Sequence, residues 1–371
     1  MLLYITAEDV IGDDGPERQG SRPLHRIPDT LAGLFDMGLR HHIRPAVMAW
    51  PADDGFESVP DWKLDRMAIR IALFGREKAG MEPGERVAIV GKLGGLWPIV
   101  DFAAMGFSAV PLGIEHGLPD AAVAEVLAEA RPRLIFTSDV ASAEQVLGLA
   151  REGGVGDAPI VTDGPETDDR VLPLRRLLDD GSILDTPERA QSFRAVSRQI
   201  DAQTEALRHV GREGLTRLTH ADAMGRIEPG LRDRPAQEGD FAYVGGPRVD
   251  LATRLALAAF VGDGLTTTAV GTESRVDQDV AALRPHKMVV SSEWLAAACR
   301  DQGPRWPAGL DRPWARRRLM ERLGDRLRWV ETRSSVDVET ARALDAAGVT
   351  IQTTTVGTGE AGPETTPETV H

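Results

Sequence analysis

Short β-branched runs alternate with helix-length stretches along most of this chain, and that alternation constrains its fold more than any other feature. The runs Arg86–Val90, Ser108–Leu112, Leu134–Thr137 and Pro159–Thr162 are separated by the helical stretches Trp97–Met105, Ala121–Ala130 and Ala141–Arg151. Parallel strands need a crossover of a dozen or more residues, and a helix of this length supplies it. The crossover helices then cover both faces of the sheet, so the strands read as nearly continuous apolar runs. A second block repeats the pattern with strands Phe241–Val244, Leu265–Val270, Met288–Ser291, Leu327–Glu331 and Val349–Thr353. Helices Leu251–Val261, Val276–Leu283, Glu293–Arg300 and Val338–Ala347 fall between them or close beside them. The expected fold is α/β, with mixed, mainly parallel sheets layered with helices.

The blocks suggest a partition. Residues 1–28 read as an N-terminal arm, 29–165 as a first α/β subdomain, 166–205 as an acidic linker and helix, 206–356 as a second α/β subdomain, and 357–371 as a mobile tail. Two helices precede the first strand run, over Thr30–His42 and Trp62–Lys78. No internal repeat is visible.

Composition excludes several function classes. The chain has 371 residues and 42% apolar content, enough for a large core. Its net charge of −14 argues against general binding to nucleic acid or anionic membranes, which needs a basic footprint. No run of about 18 apolar residues is present, so no membrane span is expected. The first residues lack the basic start of a secretory signal, which points to the cytoplasm. The lone Cys299 excludes an internal disulfide and a thiolate-built metal site. Only four lysines occur, Lys63, Lys78, Lys92 and Lys287, which leaves few for any catalytic role.

Local motifs are weak on their own. Gly91-Lys-Leu-Gly-Gly95 follows a strand but matches no phosphate-binding pattern, and reads as a turn. His41-His42 lacks a second ligand pair for a metal. Residues 305–333 carry nine arginines against four acids, with Trp306, Trp314 and Trp329 interleaved. Such a cluster either binds an anion or a protein, or is a surface helix whose arginines pair with neighbouring acids.

Longer phrases do carry a resemblance. Gly80-Met-Glu-Pro-Gly-Glu-Arg-Val-Ala-Ile89 resembles the "G-v-x-P-G-D-R-V-A-I" phrase of AMP-forming acyl-CoA synthetases, the acyl-adenylate-forming superfamily. Leu31–Phe35, Arg44-Pro-Ala-Val47, Trp97–Asp101, Ala109-Val-Pro-Leu112, Arg133–Thr137, Leu218-Thr-His220, Pro285–Leu295 and Gly348–Glu360 resemble further pieces of that family, in the family's order. The resemblance implies the N-terminal core of an adenylate-forming enzyme. The C-terminal lid domain, with its catalytic lysine, would lie beyond His371.

The departures from the family pattern bear on function. The family's phosphate loop, "T-S-G-T-T-G-x-P-K-G", aligns with Ala206–Leu215, leaving Asp201 onward too short for the preceding strand. Gly211 is kept, Gly214 stands at the lysine position, and Glu213 puts negative charge where phosphates would sit. The "Y-G-x-T-E" motif reads Val356-Gly-Thr-Gly-Glu360, which retains Gly357 and Glu360 and has Thr358 between them. Arg333 stands where the family keeps a glycine beside adenine. The histidine of the "P-l-f-H" motif falls on Asp250, after Pro247. The resemblance therefore assigns Gly211, Gly214, Thr219, Gly357 and Thr358 as vestigial nucleotide-binding candidates. Pro247 and Asp250 become acyl-pocket candidates, and Glu360 a magnesium-ligand candidate. Thr219 also reads as a helix N-cap and His220 as a structural histidine. No catalytic residue is assigned.

Two functions follow. One is a degenerate, non-adenylating synthetase homologue that acts as a binding or partner protein, with an acyl or aryl acid as ligand and an intact synthetase as a candidate protein partner. The other is acyl-CoA ligase activity, that is ATP-dependent carboxylate adenylation, completed by a partner that supplies the lid. No cofactor is expected for the first, and ATP with magnesium for the second. Losing one donor aimed at developing charge costs about 10²–10³ in rate, and this loop lacks several. The first reading is therefore favoured. The stretches Val244–Leu257 and Met288–Leu295 stay apolar, which predicts that an acyl or aromatic pocket persists.

Overall fold

The computed structural model describes residues 4–5, 27–42, 44, 46–52, 55–91, 97–155, 157–233, 236–237, 239–245, 250–270, 275–300, 313–332 and 334–353. The chain opens with β1 (Tyr4–Ile5), α1 (Leu31–His41), β2 (Met48–Ala52), β3 (Gly55–Val59) and α2 (Asp61–Lys78). An alternating block follows: β4 (Arg86–Val90), α3 (Trp97–Gly106), β5 (Val110–Ile114), α4 (Asp120–Ala130), β6 (Leu134–Thr137), α5 (Val140–Glu152), β7 (Ile160–Thr162) and β8 (Val171–Pro173). Next come α6 (Leu174–Leu184), α7 (Pro187–Gln199), β9 (Glu205–Gly211), β10 (Gly214–Thr219) and α8 (His220–Asp233). The second block runs β11 (Phe241–Gly245), α9 (Leu251–Gly262), β12 (Thr266–Val270), α10 (Val276–Leu283), β13 (Lys287–Val290) and α11 (Ser292–Arg300). It ends with α12 (Pro313–Arg322), β14 (Trp329–Thr332), α13 (Val338–Ala347) and β15 (Thr350–Thr353).

Two sheets result, with strand orders β1-β3-β2-β12-β11-β13-β14-β15 and β10-β9-β5-β4-β6-β7-β8. Apart from the hairpins β2–β3 and β9–β10 and the β1–β3 pairing, neighbouring strands are parallel. The α/β expectation holds. Alternation along the strands sets the layers. Val87, Ile89, Leu134 and Phe136 of one sheet and Ala242, Val244 and Val289 of the other face a shared core with α1, α2, α3, α8 and α9. Ala88 and Ile135 point the other way, onto α4 and α5. Tyr243, Met288 and Val290 point onto α10, α11, α12 and α13. A central helix layer thus lies between two sheets, each covered outside by helices.

Sheet membership does not follow sequence blocks. The hairpin over 48–59 and the two-residue strand Tyr4–Ile5, within the arm, pair into the sheet of residues 241–353. Residues 205–219 pair into the sheet of residues 86–173. The acidic stretch after Asp163, expected to be irregular, holds β8 and α6. Residues 206–215, expected as a bulky loop without a preceding strand, are instead two paired strands. Ala206, Leu207 and Val210 bury apolar side chains, and Arg208, His209 and Val210 pair with Leu112, Gly113 and Ile114 of β5. Helices α1 and α9 meet through glycine, since a Cβ on Gly38 would lie 2.4 Å from the Val261 carbonyl oxygen.

Candidate functional site

At the sequence-assigned nucleotide site, β9 and β10 register Gly211 opposite Gly214, so only Arg212 and Glu213 connect the strands. Gly214 has φ +101°, a conformation open to glycine, and closes the turn. Both connecting residues are exposed. The Arg212 amide donates to Glu115 Oε2 at 3.3 Å. Gly211 gives that carboxylate room, since a Cβ there would lie 2.7 Å from the same oxygen. An amide of this turn thus already faces an anion, and it is one of the protein's own. A loop that cradles phosphates needs several free N–H groups converging on one point. A two-residue turn beside a carboxylate offers the opposite charge pattern.

Thr219 caps α8. Its Oγ1 accepts from the Asp222 amide at 3.0 Å and donates to Asp222 Oδ2 at 2.7 Å, while its own amide donates to the same carboxylate at 3.1 Å. This reciprocal arrangement satisfies orphan donors at a helix start. His220 is 1% exposed, and its Nδ1 accepts from the Leu31 amide at 3.2 Å, which joins the starts of α1 and α8. Burial lowers its pKa to about 4, so it is neutral.

Beneath the hairpin lies a charged cluster that sequence reasoning did not find. Arg254 of α9 is paired with Asp101 of α3, through Nε–Oδ2 at 2.9 Å and Nη2–Oδ1 at 2.7 Å. It also donates to the carbonyls of Arg208 at 2.6 Å and Pro111 at 3.1 Å. Gly113 makes room for it, as a Cβ there would lie 2.9 Å from Arg254 Nη1 and 3.2 Å from His209 Nδ1. Burial, and then the Arg254 charge, lower His209 to about 3. Arg208, which could have offset the Glu213 charge, pairs with Glu205 instead.

Asp250 is the N-cap of α9, accepting from the Thr253 amide at 2.7 Å. The cavity beside α9 is walled further along that helix, by Leu255, Ala256, Ala259 and Phe260. Arg226, Ile227, Gly230 and Leu231 of α8 form a second wall. The sheet face supplies Lys287, Trp329, Glu331 and Gln352, and Asp263 follows α9. About 580 Å³ of space, open solvent included, lies between these walls. Phe260 and Trp329 meet edge to face, with centroids 5.7 Å apart. Lys287 Nζ pairs with Asp263 Oδ2 at 2.8 Å. Of the stretches Val244–Leu257 and Met288–Leu295 expected to line a pocket, Leu255 and Ala256 border this cavity and no residue of the second does. Its polar residues come from α8, the end of α9, β13, β14 and β15, and the sequence singled out none of them except Lys287, as one of four lysines.

Pro247, Arg333, Gly357, Thr358 and Glu360 lie outside the described residues. Among the described residues no cluster of three His, Cys, Asp or Glu is arranged to hold a metal. No described helix is long and apolar enough to cross a membrane. The described part of the arginine-rich stretch is largely paired. Arg317 binds Glu321 at 2.9 Å, Arg316 donates to the Ala347 carbonyl at 3.2 Å, and Arg328 pairs with Asp240.

Residues 63–198 match the family described as AMP-binding enzyme. Among solved structures, the luciferase-like enzyme of the nonluminescent mealworm Zophobas morio superposes with TM-score 0.68 at 11% identity, covering 90% of this chain and 74% of that one. The likeness is one of fold. A Rhodopseudomonas palustris protein described as a long-chain-fatty-acid CoA ligase gives TM-score 0.67 at 16% identity, over 88% of this chain and 75% of that one. The A-PCP didomain of carboxylic acid reductase from Segniliparus rugosus, solved with AMP, gives 0.65 at 16% identity, over 91% of this chain and 53% of that one. No curated protein matches the sequence. The fold shared with these structures extends over both sheets, while the family model matches residues 63–198.

Proposed function

We propose that this chain is a degenerate acyl-CoA synthetase-like protein that binds a carboxylic acid without adenylating it, and acts as a binding or partner protein. An intact synthetase is the candidate protein partner. The observation that carries this reading is the turn at Gly211–Gly214, where the Arg212 amide is given to Glu115 rather than left for a phosphate. At an effective dielectric near 20, unit charges about 4 Å apart repel by roughly 4 kcal/mol. That exceeds the 1.5–3 kcal/mol or so of one charge-assisted hydrogen bond. The cavity between α8, α9 and the sheet, with apolar residues of both helices in its walls, supports retention of an acyl or aryl acid. The solved relatives' names, a fatty-acid CoA ligase and a carboxylic acid reductase, agree with that ligand class.

Calorimetry with ATP and magnesium tests the reading. No binding is expected up to millimolar nucleotide, and no ATP–pyrophosphate exchange with any acid. Micromolar ATP binding, or exchange, would replace this reading with the partner-completed ligase.

A further inference from the structure

Of the charged residues that wall the α8–α9 cavity, only one is open to water. Asp263, Lys287 and Glu331 are buried, and Lys287 Nζ is already matched by Asp263 Oδ2 at 2.8 Å. A second carboxylate brought to that ammonium would meet Asp263 as well, and like charges in one dry site disfavour each other. Arg226 of α8 differs. It lines the cavity and is exposed, so it stands where the wall meets solvent.

Arg226 is also uncommitted. Its natural partner on the helix is Asp222, one turn earlier at i,i+4 spacing. The helix cap takes that carboxylate: Asp222 Oδ2 accepts from the Thr219 amide at 3.1 Å and from the Thr219 hydroxyl at 2.7 Å. Asp222 feels the Arg226 charge only through space, and among the described residues no acid forms an ion pair with Arg226. The same face of α8 that carries Arg226 carries the apolar wall, since Ile227, Gly230 and Leu231 line the cavity with it. Gly230 leaves that wall open, because a Cβ there would meet nothing within 4 Å. One turn of helix thus separates an unpaired cation from free space beside Leu231, with Leu255 and Phe260 of α9 on the cavity's other wall. A guanidinium presents its N–H donors in a fork that matches a carboxylate. A carboxylate held at the solvent edge also avoids the cost of burying its charge.

We infer that Arg226 holds the carboxylate of the bound acid at the solvent edge of the cavity, with the apolar body of the acid beside Gly230 and Leu231. This rests on the acid-binding reading proposed above and gives it a residue. The test is calorimetric titration of the whole chain near neutral pH with octanoic acid and octanamide, and with cinnamic acid and cinnamamide, each pair alike except in charge. In at least one pair the acid binds roughly tenfold tighter than its amide. Arg226→Gln removes that preference and leaves the amide bound as before, and Arg226→Lys restores part of it. Gly230→Met, which fills the free space without changing charge, weakens acid and amide alike. An acid preference that survives Arg226→Gln, equal binding of acid and amide by the wild type, or binding untouched by Gly230→Met overturns the inference and leaves the acid-binding reading standing. No binding of any of the four compounds by the folded protein overturns both.

Discussion

Arg254 shows how much of this fold depends on one charged side chain. It sits on α9, beside the second sheet, and binds Asp101 on α3, beside the first. The two side chains are 1% and 7% exposed, and Arg254 also closes on the carbonyls of β5 and β9. Burial pushes Asp101 up while the guanidinium pulls it down. A pair of this kind contributes little net stability when intact, but removing one partner strands the other charge in a dry interior. Arg254→Met should therefore cost about 3–5 kcal/mol in urea unfolding. Asp101→Leu combined with Arg254→Met should recover much of that, because no charge is then left buried. If the single variant unfolds at the wild-type urea concentration, the pair does not pin the two helices. Asp101 ends one of the phrases that resemble the family, but nothing in the sequence pairs it with Arg254, 153 residues away.

At the scale of elements, the hairpin β9–β10 is where sequence and structure differ most. Strand–helix alternation located the other long parallel strands because their apolar residues form short runs. β9 carries Glu205, Arg208 and His209, which read as loop residues. They fit a strand because Glu205 and Arg208 neutralise each other and His209 is neutral beside Arg254. The hairpin β2–β3 escaped notice for a related reason: Pro51 within β2 breaks the usual strand pattern, and it lies beyond Met48 and Ala49, the residues of β2 that pair with β12. The cavity was foreseen only as an apolar groove, because its polar residues come from α8, the end of α9 and three strands far apart in sequence. Gly214 tests the turn itself. A Cβ there meets nothing within 4 Å, so any cost of Gly214→Ala is backbone strain at φ +101°. The substitution should lower stability by about 1–2 kcal/mol. An unchanged urea midpoint would mean that residues 211–214 do not form this turn.

Over the whole molecule, buried neutral histidines set a lower pH limit on the fold. Burial lowers His209 to about 3 and His220 to about 4, and lowers His42 and His286 in the same direction. In the unfolded chain these groups titrate near 6.5. Between that value and the folded ones the unfolded state binds more protons, so stability falls as pH falls. The full contribution is present above about pH 6.5, and at pH 5 His209 and His220 each cost about 2 kcal/mol. The carboxylates that burial pushes up, Asp61, Asp101, Asp163, Asp263 and Asp279, act in the opposite sense, because a raised carboxyl takes up protons in the folded state and offsets part of the histidine loss. Unfolding free energy measured in urea should be flat from about pH 8 to 7 and fall toward pH 5, with about 4 kcal/mol from the two histidines as the upper bound. At that bound a large part of a typical stability of about 5–15 kcal/mol would be gone. The histidines that matter here bind no ligand. His220 ties α1 to α8 and His209 lies over Arg254, so protonating them charges the central helix layer at the two places where the sheets are held together. A profile that stays flat down to pH 5 would show that these rings reach water in the folded state, and that the layer between the sheets is more open than its burial implies.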